Sequence, residues 1–358
     1  MRFPFLPSRF RSFRLPSLQF SLFFLVLLAG QGCNRYVAVT GYAQGGTYSV
    51  KFNAAGVSVP RAEIAAAIDS VLTLVDTTLS GYNKASILSR FNNGETVVPN
   101  KLFSDIYACS REIWEETDGC VDVAAGPLFD VWGFGFSTDS LPSDAKVRET
   151  LASCGMARLR PRIAPGEPLD SHALLSDSGA LEQAPSRLNF NAIAQGYTCD
   201  LVADYLRSIG VKDMLVDIGE IYCAGRNPSG RDWSIGVDRP VDGNDTPGAD
   251  LDGVWLSAGR SCGIVTSGNY HKFYVRDGRK LAHTIDPRTG YPVDHSLLSA
   301  TIVAPSAASA DAYATYCMVL GYEDARAFIE SRSDLEGYLI RDVDGSMVEW
   351  ASPGFTLR

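Results

Sequence analysis

Met214-Leu215-Val216-Asp217-Ile218 is a short, β-branched apolar run that reads as a strand. A helical period from Tyr197 to Ile209 leads into it. Further strands are expected around Trp233–Val237, Val254–Leu256, Gly263–Thr266 and Ser299–Ala304, with an acidic, Gly-rich loop from Pro240 to Gly253. Strands and helices therefore mix without a regular βαβ alternation, and neither GxGxxG nor the P-loop pattern follows any strand. Dinucleotide-binding Rossmann and P-loop folds are disfavoured. The expected fold class is α+β, a mainly antiparallel sheet with helices packed against it.

Working outward, Thr47-Tyr48-Ser49-Val50-Lys51-Phe52 alternates as a strand does. Pro60 then opens a helix with Ile64, Ile68, Val71, Leu72, Val75 and Leu79 on one face, ended by Ser80-Gly81. A second helix follows Pro99, with Phe103, Ile106, Tyr107, Ile113 and Trp114 at period 3.6, and stops near Asp118-Gly119. From 137 to 188 the text is rich in Pro, Ser, Asp and Gly, with one short helix near Val147 to Leu151, and reads as a peripheral, variable excursion. No internal repeat is evident.

The N-terminus has an export layout. Arginines precede the apolar run Phe20 to Ala29, and small residues lead to Cys33. Residues 1–32 are expected to be a signal peptide and 33–358 one functional domain. Gly32 suits processing to a lipid-anchored Cys33, whereas Gly30 stands where a lipoprotein signal usually has a leucine-like residue. The expected location is the periplasmic face of the inner membrane, held by that anchor. A chain with 46% hydrophobic residues buries a sizeable core, and its net charge of -9 repels nucleic acid and anionic lipid. The eight cysteines lie far apart in sequence, with no CxxC or Cys/His metal spacing, and none reads as chemical. With Cys33 lipidated, the other seven are odd in number, so at least one is a free thiol.

Four stretches carry candidate chemistry. His283-Thr284-Ile285-Asp286-Pro287-Arg288-Thr289-Gly290 runs a short strand into a Pro/Gly turn. His283 suits a base that takes a proton from a hydroxyl nucleophile, or equally a hydrogen-bonded core histidine. Asp311 and Thr315 lie four apart in a helix, which puts a carboxylate and a hydroxyl on one face, as a hard cation such as Mg²⁺ requires. The alternative is a helix-dipole aspartate and a threonine bonded to the preceding turn. Asn189 to Tyr197 is a small, polar lead into a helix whose backbone can approach a ligand. Asp118 to Leu128, followed by Trp132-Gly133-Phe134-Gly135, sets small residues beside aromatics, as a planar ligand needs.

In this order, together with Gln44-Gly45-Gly46-Thr47-Tyr48, Ser80-Gly81-Tyr82-Asn83, Ser89-Arg90-Phe91-Asn92 and Ser267-Gly268-Asn269-Tyr270, these stretches resemble the ApbE family of FAD:protein FMN transferases from about Gln44 to Gly321. The resemblance implies a two-part α+β fold that takes FAD as substrate. It places Gln44, Tyr82, Val123, Ala124, Ala125, Asn189, Gln195 and Ile285 against the dinucleotide. It implies Mg²⁺ held by the backbone carbonyl of Ala192 and the side chains of Asp311 and Thr315, with His283 as base. The implied reaction moves FMN from FAD to a Thr or Ser hydroxyl of an acceptor protein and releases AMP.

Three positions depart from the family's usual residues: Asn189 stands for Asp, Gln195 for Lys or Glu, and Glu220 for a second Gly after Gly219. Two other activities use the same residues. One is a metal-dependent FAD pyrophosphatase with water as nucleophile, and the other an exported flavin-binding lipoprotein without turnover.

Overall fold

The computed structural model describes residues 35–133, 141–176, 187–241, 243–244, 246, 248–269, 273–276, 279–282 and 284–358. The export segment, Cys33 and His283 lie outside the described residues. Among those described, no helix is long and apolar enough to cross a membrane.

The chain enters with a hairpin of β1 (Tyr36–Ala43) and β2 (Gly46–Asn53). Gln44 and Gly45 between them both have positive φ, 51° and 83°, the turn whose twist matches two paired strands. Helices α1 (Arg61–Leu79), α2 (Ile87–Asn92), α3 (Lys101–Glu116), α4 (Gly126–Val131) and α5 (Asp144–Ser153) follow. Then come α6 (Ala194–Ser208), β3 (Met214–Asp217), β4 (Ile221–Ala224), β5 (Ser234–Asp238), β6 (Leu251–Leu256) and β7 (Cys262–Gly268). Two small hairpins, β8 (Phe273–Arg276) with β9 (Arg279–Ala282) and β10 (Ile285–Asp286) with β11 (Tyr291–Pro292), precede β12 (Leu297–Ala304). The chain closes with α7 (Ala307–Leu320), α8 (Tyr322–Ser331), β13 (Glu336–Val343) and β14 (Ser346–Ala351).

Eight strands form one sheet in the order β1-β2-β3-β4-β7-β12-β13-β14. Every neighbouring pair is antiparallel, so the fold is α+β as the sequence implies. Side chains alternate between the two faces. On β7, Val265 points toward the α7 side while Cys262 and Ile264 join the core beneath the β5–β6 hairpin. Helices α1 and α6 cover the β1–β4 half, where Val50, Phe52, Ile64, Ile68, Val202 and Val216 are buried together. Helix α7 is apolar on nearly all sides because it is central: it packs on β7 and β12 and against α6 and α8.

A separate core lies around α2, α3 and the segments that follow them. The stretch expected as a peripheral excursion contributes to it: Met156, Leu159, Ile163, Leu169, Leu174 and Leu175 are all buried there. Backbone pairs Val97–Leu169 and Leu159–Leu175 tie that stretch in. Its apolar residues carry no helical or strand period because they enter the core singly, from turns. The one helix expected in it is α5.

Candidate functional site

The site is built where the first turns of α6 and α7 meet. Gly196 allows the approach: a Cβ there would stand 2.2 Å from the Ala307 carbonyl oxygen. Gly263 on β7 does the same from below, at 2.3 Å from the Ala307 Cα. With the two backbones this close, each helix supplies a carboxylate to the other's N-terminus. Asp200 of α6 accepts from the N–H groups of Ala307 and Ala308, each at 2.9 Å. Asp311 of α7 accepts from the Gly196 N–H through Oδ2 at 3.1 Å. Both exchanges satisfy amides that a helix leaves unpaired at its start.

The Gly196 N–H is the donor that would meet the Ala192 carbonyl if α6 extended one turn backwards. Turned to Asp311 instead, it bonds across to α7 rather than back along its own chain. Thr315, one turn after Asp311, is half-buried. Of the expected oxygen donors, Asp311 and Thr315 lie one turn apart on α7, and Ala192 lies in the turn before α6, four residues ahead of the Gly196 that bonds Asp311. No group of three or more His, Cys, Asp or Glu side chains suited to a metal occurs among the described residues, and the expected set, with one carboxylate, is not of that kind.

The electrostatics favour a cation. Asp311 is only 5% exposed. Burial, with the charge of Asp200 adding to it, pushes its carboxyl up to about 7. Glu220, half-buried, is pushed well above the usual carboxylate range by burial and then by Asp311 and Asp217. Neither Asp311 nor Glu220 has an ion pair among the described residues. A hard divalent ion would offset both penalties, so the residues fit Mg²⁺.

The residues expected against the dinucleotide are held by several elements of the chain. Gly219, at φ 92°, keeps space for Gln195: a Cβ would lie 2.4 Å from its Nε2. The Gln195 amide reaches the Ile218 carbonyl at 3.5 Å. Gln44 donates to Thr198 Oγ1 at 2.6 Å, which ties the β1–β2 turn to α6. The Asn189 N–H donates to the Val123 carbonyl at 2.7 Å, and its side chain accepts from Asn191 N–H at 2.9 Å. Val123, Ala124 and Ala125 are buried, and Ala125 shares a small core with Leu128, Trp132, Val147 and Ile285. Trp132 Nε1 donates to the Gly290 carbonyl at 2.7 Å and fixes the β10–β11 hairpin to this wall. Tyr82 is 76% exposed.

His283, the expected base, lies outside the described residues. Its neighbour Thr284 donates to Asn269 Oδ1 at 2.8 Å, at the end of β7. Asp286 accepts two bonds of 3.0 Å from the Arg288 guanidinium and one from the Arg288 N–H, which stiffens the turn that follows. Sequence reasoning missed the parts played by Asp200 and Glu220. The signal for Asp200 existed only as a pair of contacts between distant helices. Glu220 stands out in the sequence only as a departure from the family's usual glycine, and its neighbours Asp311 and Asp217 are distant or unremarkable there.

Three comparisons bear on this arrangement. The ApbE family model matches residues 44–339. The FAD:protein FMN transferase of Escherichia coli K12 is 33% identical over 304 residues, 82% of this chain and 81% of that protein. The chain is also similar to the flavin transferase ApbE of Vibrio cholerae (TM-score 0.70, 28% identity, 89% of this chain and 97% of that one). The apo flavinyl transferase ApbE of Pseudomonas stutzeri compares equally well (TM-score 0.71, 29% identity, 89% and 95%). With the family match spanning most of the chain and a relative 33% identical over four-fifths of it, this protein belongs to the ApbE family.

Proposed function

We propose that the protein is a FAD:protein FMN transferase that uses Mg²⁺. The observation that carries this reading is the α6–α7 junction, where Asp311 is buried with one hydrogen bond, beside Glu220 and without a cationic partner among the described residues. Asp311, Thr315 and the Ala192 carbonyl are the oxygen donors that would hold Mg²⁺. Held there, Mg²⁺ would supply positive charge to offset that of the FAD pyrophosphate.

The chain's own residues supply position and proton transfer. The segment Val123-Ala124-Ala125, with Ile285 packed near Ala125, would offer small apolar residues to the flat ring of FAD, braced by Trp132 through its bond to Gly290. Gln44, Asn189 and Gln195 offer neutral amides for its polar edges, and exposed Tyr82 a ring to stack on the open side. The acceptor Thr or Ser hydroxyl attacks the FMN phosphorus and forms a new P–O bond. The pyrophosphate P–O bond breaks, and AMP leaves with its electron pair. His283 takes the hydroxyl proton. Positioning and electrostatics account for most of such a reaction.

Incubating the purified protein with FAD, Mg²⁺ and a candidate acceptor tests the reading by intact mass. A gain of one FMN unit on the acceptor with equimolar AMP supports it. Free FMN with an unchanged acceptor would mean hydrolysis, and intact FAD a binding protein.

The apolar run before Cys33 supports export to the periplasmic face of the inner membrane with a lipid anchor on Cys33. Replacing Cys33 by Ser should then release the protein from the membrane fraction and abolish lipid labelling. An unlabelled wild type with the same fractionation contradicts the anchor.

A further inference from the structure

Two of the cysteines that look unrelated in sequence face each other across the middle of the sheet. β4 and β7 pair with Cys223 directly opposite Cys262. Both side chains lie on the face beneath the β5–β6 hairpin, among Trp233, Ile235 and Trp255, and are 0% and 5% exposed. Their sulfurs are 3.9 Å apart, as free thiols. Directly opposed residues of an antiparallel pair have Cβ atoms about 4.5–5.5 Å apart, and a disulfide needs about 3.5–4.5 Å, so a small local shift closes the bond.

The position gives the bond a purpose. β4 and β7 are joined by three residue pairs, Ile221–Ile264, Tyr222–Gly263 and Cys223–Cys262. Neighbouring β7 and β12 are joined by six. This short seam connects the β1–β4 half of the sheet to the β7–β14 half, and its strands are separated by the whole β5–β6 hairpin. A link between residues 39 apart would staple the seam where backbone pairing is least extensive.

We infer that Cys223 and Cys262 form an oxidisable pair that closes to a disulfide across the β4–β7 seam when the chain folds in the presence of a disulfide oxidant. The two sulfurs share one contact, and the nearby Arg260 guanidinium favours the thiolate of either. One of the two, as thiolate, attacks the oxidant's disulfide and releases one thiol. The other sulfur then displaces the second thiol from the mixed disulfide. Two protons and two electrons leave the protein, and the oxidant is reduced to two thiols. Burial under the hairpin confines the exchange to folding or to lifting of that hairpin.

The test is oxidative refolding. The purified protein is unfolded, reduced and refolded in a glutathione–glutathione disulfide buffer, quenched in acid, alkylated under denaturing conditions and mapped by mass spectrometry. The expected product takes two fewer alkyl groups than the reduced control and yields a peptide linking Cys223 to Cys262. Its midpoint of thermal unfolding should lie about 5 °C or more above that of the reduced protein. A Cys223→Ala/Cys262→Ala variant should lose that difference. Full alkylation after refolding, or a link joining other cysteines, overturns the proposal. The wild-type peptide map decides the matter even where the double variant folds poorly, and it does so independently of flavin transfer or export.

Discussion

Asp200 and Asp311 stand at the same junction, each buried to 5% exposure and each raised to about 7, yet they differ in how their oxygens are used. Asp200 spends both oxygens on the first N–H groups of α7. Asp311 spends one on α6, and its other oxygen takes no hydrogen bond among the described residues. A carboxylate with both oxygens engaged suits a cap, and one with an oxygen left over suits a cation. On the proposed reading, similar residues in similar burial serve stability in one case and chemistry in the other.

The largest expected effect follows from that difference. Asp311→Ala should abolish AMP release while leaving the circular dichroism spectrum largely unchanged, because it removes the only charged donor of the metal set. A folded variant with wild-type AMP release at low Mg²⁺ would sink the assignment. Next comes His283→Asn, with transfer slower by about 10²-fold or more and FAD affinity within a few-fold, since proton removal matters in the transition state and not in the bound ground state. Equal losses of binding and transfer would make His283 a structural residue.

Asp200→Ala should act on the fold instead. Two N–H groups of α7 lose their acceptor, at a cost of about 2 kcal/mol, read as a lower urea midpoint with turnover per folded molecule within a few-fold. A variant as stable as wild type but inactive would exchange the roles of the two aspartates.

The smallest effect is a pH dependence. Both carboxyls are raised to about 7 in the folded chain from the ordinary aspartate value of 3.8. Between those limits the unfolded chain has released protons that the folded chain retains. The metal-free protein therefore loses stability as pH rises from about 4 through 7. Mg²⁺ should accordingly raise the unfolding temperature more at pH 8 than at pH 5.5, and Asp311→Asn should flatten the metal-free profile. A Mg²⁺ shift independent of pH would mean that the ion does not meet Asp311.

Much of this was legible in the sequence where period and punctuation agree. The apolar stripe from Ile64 to Leu79 is α1, and Phe103 to Trp114 lies in α3, capped by Asn100. Asp311 and Thr315 share α7 because four residues make about one turn. β14 escaped notice because it is an edge strand with most of its residues exposed, so no alternation marks it. α4 is a single short piece with Pro127 in its first turn, without room for a period. The pairing of Asp200 with Ala307 and of Cys223 with Cys262 depends on contacts across 107 and 39 residues, which local pattern does not encode.

The contrast between the two aspartates is tested most directly by titrating Mn²⁺ into the FAD-loaded protein and counting bound ion by electron paramagnetic resonance. Wild type and Asp200→Asn should bind one ion with similar affinity, and Asp311→Asn should lose that binding while remaining folded. Undiminished binding by folded Asp311→Asn would contradict the account.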